Sequence, residues 1–79
     1  YPNPATNTAI IEFEQKASAN TKIELINTNG EIIKSVFNCF LESGEHTFHI
    51  NTSDITTGSY FIVVQSQKEK IVFQLIIIH

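Results

Sequence analysis

No arginine, tryptophan or methionine occurs in this 79-residue chain, and there is a single cysteine, Cys39. Each absence argues against a class of function. Five lysines against eight acidic residues give a net charge of −3, so no basic stripe exists to neutralise phosphates, and the charge argues against nucleic acid or an anionic membrane surface as partner. One cysteine cannot close an internal disulfide or build a zinc cluster; its place in the apolar run from Val36 to Phe40 predicts a small buried hydrophobe. With no tryptophan, and with most of six phenylalanines on strand positions, the aromatic platform on which carbohydrate-binding modules stack sugars is poorly signalled. Apolar runs such as Leu75-Ile76-Ile77-Ile78 fall far short of the roughly 20 residues that span a bilayer as a helix. The chain opens on Tyr1 with neither an initiator methionine nor a charged-then-apolar leader, and reads as a piece of a longer protein.

What is present belongs to one small folded domain covering residues 1–79. Hydrophobic residues make up 42% and charged residues 16%, the balance of a globular chain. A domain this short buries only about 60% of the surface its unfolded chain exposes, so nearly every apolar residue has to serve the core.

Read against the two possible periods, the apolar positions follow a period of two. Ala9, Ile11 and Phe13 share one face of a strand, as do Ile23 and Leu25 in the next. Asn29-Gly30 predicts a hairpin turn, since both residues tolerate positive φ, and it leads into a long run from Glu31 to Phe40. After a turn at Glu42-Ser43-Gly44, the strand from Glu45 to Asn51 puts His46, Phe48 and Ile50 on its core face. Residues 51–58 have a loop composition with room for one helical turn capped by Thr52 or Ser53. Strands over 59–66 and 70–78, joined by a polar tip at Gln67-Lys68-Glu69, complete six strands, or seven if the long third run breaks. The fold class predicted is all-β: an immunoglobulin-like antiparallel β-sandwich.

Catalysis is unsupported. One aspartate, three histidines, one cysteine and no arginine leave no convergent set of acids, bases and nucleophiles. His46 and His49 are three apart in a strand and so point to opposite faces, which prevents them from chelating one ion together. Nothing beside Cys39 carries a positive charge to lower its pKa. The acceptor pattern Asn51-Thr52-Ser53 is a three-residue signal that loops of this composition carry by chance. No catalytic residue, metal ligand or cofactor site is assigned.

Two features exceed what core packing needs. The last strand has Ile71, Phe73, Leu75 and Ile77 on one face, yet Val72, Ile76 and Ile78 on the other, broken only by Gln74; an outer sandwich face is ordinarily polar, so the strand is either covered on both faces by its own domain or meets a partner with its second face. The run containing Ile32, Ile33, Val36, Phe37, Cys39 and Phe40 is also apolar on both faces, and there a β-bulge that switches the inward side is the simpler explanation. Ahead of both stands Tyr1-Pro2-Asn3-Pro4-Ala5-Thr6, whose prolines predict a stiff linker over residues 1–6 entering the first strand.

Taken in order, Tyr1-Pro2-Asn3-Pro4-Ala5, Asn29-Gly30-Glu31-Ile32-Ile33, Ser43-Gly44-Glu45-His46, Gly58-Ser59-Tyr60-Phe61-Ile62-Val63-Val64 and Gln74-Leu75-Ile76-Ile77-Ile78 resemble the C-terminal sorting domain, type A, of type IX secretion cargo. The resemblance spans the whole chain; each motif is weak alone, and their order and spacing make it specific. It implies a Bacteroidetes address label of Ig-like fold at the end of a larger secreted protein, read by the outer-membrane translocon after passage through the periplasm. A sortase-like peptidase then cuts upstream, and the cargo on its N-terminal side is attached to the cell surface or released. The label itself does no chemistry.

The family attributes recognition largely to its C-terminal segment, which here comprises Lys70, Phe73, Leu75, Ile76, Ile77, Ile78 and His79. Pro2, Asn3, Pro4, Gly30, Gly44, Gly58 and Tyr60 are the motif positions with structural roles, the glycines for positive φ or close approach and the tyrosine needing a hydroxyl partner at the sandwich edge. Many family members end on a basic residue, where this sequence has His79. A fibronectin-like or carbohydrate-binding accessory module of a secreted enzyme is the competing reading, and pairing of two copies through the last strand is a further prospect.

Overall fold

Alternating apolar and polar side chains produce six strands in the computed structural model, which describes residues 7–79: β1 (Thr8–Gln15), β2 (Ala19–Asn27), β3 (Ile32–Leu41), β4 (Gly44–Asn51), β5 (Gly58–Ser66) and β6 (Lys70–Ile77). The expected linker, with Pro2, Asn3 and Pro4, lies outside the described residues. All pairings are antiparallel, and the strands form a two-stranded sheet β1-β4 and a four-stranded sheet in the order β3-β2-β5-β6. That order corresponds to strands B and E of an immunoglobulin-like sandwich facing C′, C, F and G. The predicted fold class is therefore the one adopted, with the long third run unbroken.

The core forms where the two inner faces meet. Ala9, Ile11 and Phe13 of β1 and Ile50 of β4 pack against Ile23 and Leu25 of β2, Tyr60, Ile62 and Val64 of β5, and Leu75 and Ile77 of β6, all buried. Toward the β3 side an aromatic group carries the contact between layers: Phe48 stacks on Phe13 with ring centroids 6.0 Å apart and meets Phe37 edge-on at 5.1 Å, the offset and tilted geometries that ring quadrupoles favour. The strand faces read from period-two alternation are those observed, including the separation of His46 from His49.

β3 owes its two apolar faces to bulges. Ile23 pairs with Phe37 but Glu24 with Ser35, so Val36 is an extra residue; Leu25 pairs with Lys34 but Ile26 with Ile32, so Ile33 is another. An extra residue turns two successive side chains the same way, and Val36 and Phe37 both pack against the core. The second bulge turns Lys34 toward the other layer, where its Nζ donates to Asn51 O at 2.7 Å and lies 3.3 Å from Asp54 Oδ1. Ile32, Ile33 and Phe40 remain exposed.

Four local expectations are corrected. Cys39 is exposed, not buried: it shares a face with its pairing partner Thr21 but sits on an end strand, past the cover of a layer only two strands wide. In the β2–β3 turn only Gly30 takes positive φ (+84°), and Asn29 does not; Gly30 N donates to Asn27 O and Asn27 N to Glu31 O, which is a three-residue loop of type I turn plus left-handed glycine. Asn27 Oδ1 organises it by accepting from the amides of Asn29 and Glu31. Residues 52–57 hold no helical turn, only one hydrogen-bonded β-turn in which Ile55 N donates to Thr52 O, introduced by Asn51, whose Oδ1 accepts from Ser53 N. Gly58 needs neither positive φ nor close approach, since a Cβ there would lie 3.5 Å from the Tyr60 ring, an ordinary contact. Gly44, at φ +123°, does require glycine.

Candidate functional site

The last strand is built as an inner and an outer row. Its inner row packs on the core: Leu75 and Ile77 are buried, and Ile71 and Phe73 are half-buried beside them. Its outer row leaves apolar side chains in solvent, with Val72 52%, Ile76 40% and Ile78 46% exposed. Among the residues expected to carry recognition, Lys70, Ile76, Ile78 and His79 are therefore on the surface of the folded domain, whereas Phe73, Leu75 and Ile77 hold the sandwich together.

Register extends the outer row across the four-stranded sheet. Ile32 faces Ile26, Ile26 faces Phe61, and Phe61 faces Gln74, giving one row over all four strands; the next row runs Ser35, Glu24, Val63 and Val72, and Ser59 faces Ile76 on the other side. Ile26, Phe61 and Val63 are partly exposed and Ile32 is exposed. Lys22, Gln65 and Lys70 form a polar row bordering this patch. Sequence reading attached a partner to the β6 part alone and gave the apolar β3 run with Ile32 to a bulge; Ile26, Phe61 and Val63 join the surface through the pairing of β2 with β5 and of β5 with β6.

Beyond β6 the chain is tied to the crossover between the two sheets. His79 N donates to Thr57 Oγ1 at 3.1 Å, and His79 Nε2 contacts Ile55 O. A carbonyl accepts only, so Nε2 carries the hydrogen. Tyr60 Oη finds the partner expected of it, donating to Thr56 O at 2.7 Å.

Among the described residues no other cluster of reactive side chains stands out. A shallow cavity of about 260 Å³ on the two-stranded sheet is lined by Glu12, Phe13, Glu14, Glu45, His46 and Thr47; His46 Nε2 is occupied there by Glu42 O at 2.7 Å. Among the described residues no group of three metal-ligating side chains converges.

A family model described as a secretion system C-terminal sorting domain matches residues 1–78. The chain belongs to this family. Membership makes it a type IX secretion sorting signal, one that engages the secretion machinery while joined to a cargo on its N-terminal side and sends that cargo to the cell surface or beyond. Domains of the family are signals, not catalysts, in general. No curated protein and no solved structure matches the chain.

Proposed function

We propose that residues 1–79 direct a larger cargo across the outer membrane through the type IX translocon, after periplasmic transit, and that a sortase-like peptidase then cuts upstream so that the cargo is attached to the surface or released. The observation that carries this reading is the family match over residues 1–78. The translocon reads β6 and the residues after it: Lys70, Ile76, Ile78 and His79 by direct contact, and Phe73, Leu75 and Ile77 by holding the strand in place. Support for that division comes from the apolar outer row, since an exposed apolar patch on a small soluble fold marks an interaction surface. Within the patch the charged side chain is Glu24, beside Val63, with Lys22 and Lys70 at the border, so the docking face is apolar along β6 and polar toward β2.

The test fuses residues 1–79 to the C-terminal end of a reporter carrying a signal peptide and follows the reporter in a type-IX-competent bacterium and in a translocon-null strain. Delivery to the surface or medium in the competent strain alone is the expected result. A folded fusion held in the periplasm of both strains would overturn the reading.

A further inference from the structure

Two donors from the four-stranded sheet and one from just past β6 grip the end of β4 and the β4–β5 crossover by backbone carbonyls. Lys34 of β3 takes Asn51 O at 2.7 Å, Tyr60 of β5 takes Thr56 O at 2.7 Å, and His79 takes Ile55 O while its own amide donates to Thr57 Oγ1 at 3.1 Å. Lys34 and Tyr60 project from residues paired within the sheet, opposite Leu25 and Asn27. His79 does not: the β5–β6 ladder has its last pair at Gly58 and Ile77, and Ile78 between the ladder and His79 is exposed. Two hydrogen bonds from His79 thus fix the segment that follows the ladder.

We propose that His79 is a latch. Closed, it pins residues 77–79 to the crossover at Ile55 and Thr57. Open, these residues leave the sandwich as one local unit while β2, β5 and the rest of β6 stay folded: Ile78 and His79 are exposed and bring few apolar contacts, which favours local opening, and the buried side chain of Ile77 sets most of its cost. Opening turns Ile77, buried when the latch is closed, into part of a continuous extended segment Ile76-Ile77-Ile78 available to a partner. A partner that binds the open form draws the equilibrium toward it. The proposal rests on the sorting reading only for the identity of that partner.

Amide hydrogen exchange on the 79-residue chain, read by NMR, tests the latch without any export assay. The reporting amides are those of residues 77–79 and of Ile55, which is bonded to Thr52 O; Ile23 and Ile62, in the central strands, are the reference. His79→Ala is expected to speed exchange at the reporting amides about fivefold, the factor for one net hydrogen bond, and Thr57→Val to speed it at residue 79, both with the reference unchanged. Unchanged rates at the reporting amides in both variants, or an equal rise at Ile23 and Ile62, would overturn the latch. Failure of export in the fusion experiment would leave these rates as they are, so the two proposals fail separately.

Discussion

The hydroxyl of Tyr60 donates to the carbonyl of Thr56, 2.7 Å away and four residues earlier in the chain. Thr56 Oγ1 lies 2.9 Å from the same hydroxyl. This is the tyrosine corner of immunoglobulin-like folds, placed at the crossover from the two-stranded sheet to the start of β5. It lets a buried aromatic ring fill the core while its polar end closes the connection between layers.

Removing that hydroxyl alone isolates its contribution. Tyr60→Phe keeps the ring and should lower unfolding free energy by about 1 kcal/mol, the net worth of one intramolecular hydrogen bond. Urea denaturation measures it, and a variant as stable as the parent would show that solvent replaces the hydroxyl at Thr56 O without cost.

Much of this arrangement is legible in the sequence, and the rest is hidden for definite reasons. Ala9, Ile11 and Phe13, or Tyr60, Ile62 and Val64, show their inward face because side-chain direction follows local alternation alone. The need of Tyr60 for a partner is equally local. The bulge residues Val36 and Ile33 are different, since which residue is extra depends on the register with β2. The exposure of Cys39 depends on how far the opposite layer reaches. On the candidate surface, Val72, Ile76 and Ile78 stand out as a second apolar face of one strand. Ile26, Phe61 and Ile32 join them only through the strand order β3-β2-β5-β6.

The three glycines should separate by backbone conformation. Gly44, at φ +123°, and Gly30, at φ +84°, occupy regions that L residues enter at a cost of about 1–3 kcal/mol. Gly30→Ala and Gly44→Ala are each expected to lower stability by roughly that amount. Gly58→Ala, with ordinary φ and an ordinary contact to Tyr60, should fall within about 0.5 kcal/mol of the parent. Thermal or urea unfolding of the three variants checks the order, and a Gly58→Ala cost equal to that of Gly44→Ala would refute it.

Adjacent residues of β6 should separate folding from recognition. Ile77 is fully buried and Ile76 is 40% exposed. Ile77→Ala removes core atoms and should cost about 2–5 kcal/mol, so its loss of export would follow from unfolding. Ile76→Ser and Val72→Ser touch the outer row and should leave stability within about 1 kcal/mol while reducing export of a fused cargo. Measuring circular dichroism melts alongside reporter delivery distinguishes the two effects. Full export by the double outer-row variant would remove that row from the recognition surface.

Inside the fold, Gln15 is buried and holds Thr21 Oγ1 through its Nε2 at 2.7 Å, while its Oε1 has no hydrogen-bond partner among the described residues. Thr21 Oγ1 spends its own hydrogen on Ala19 O at 3.0 Å. Replacing Gln15 by methionine keeps the length and volume of the side chain, gives up one hydrogen bond worth about 0.5–1.5 kcal/mol, and removes a buried orphan carbonyl that costs about 1–3 kcal/mol. Thr21 still donates to Ala19 O, so no donor is left unpaired by the change. Gln15→Met is therefore expected to match or exceed the parent in urea denaturation, by up to about 1 kcal/mol. A loss greater than about 2 kcal/mol would mean that the Gln15–Thr21 bond contributes more to the fold than the orphan oxygen takes away.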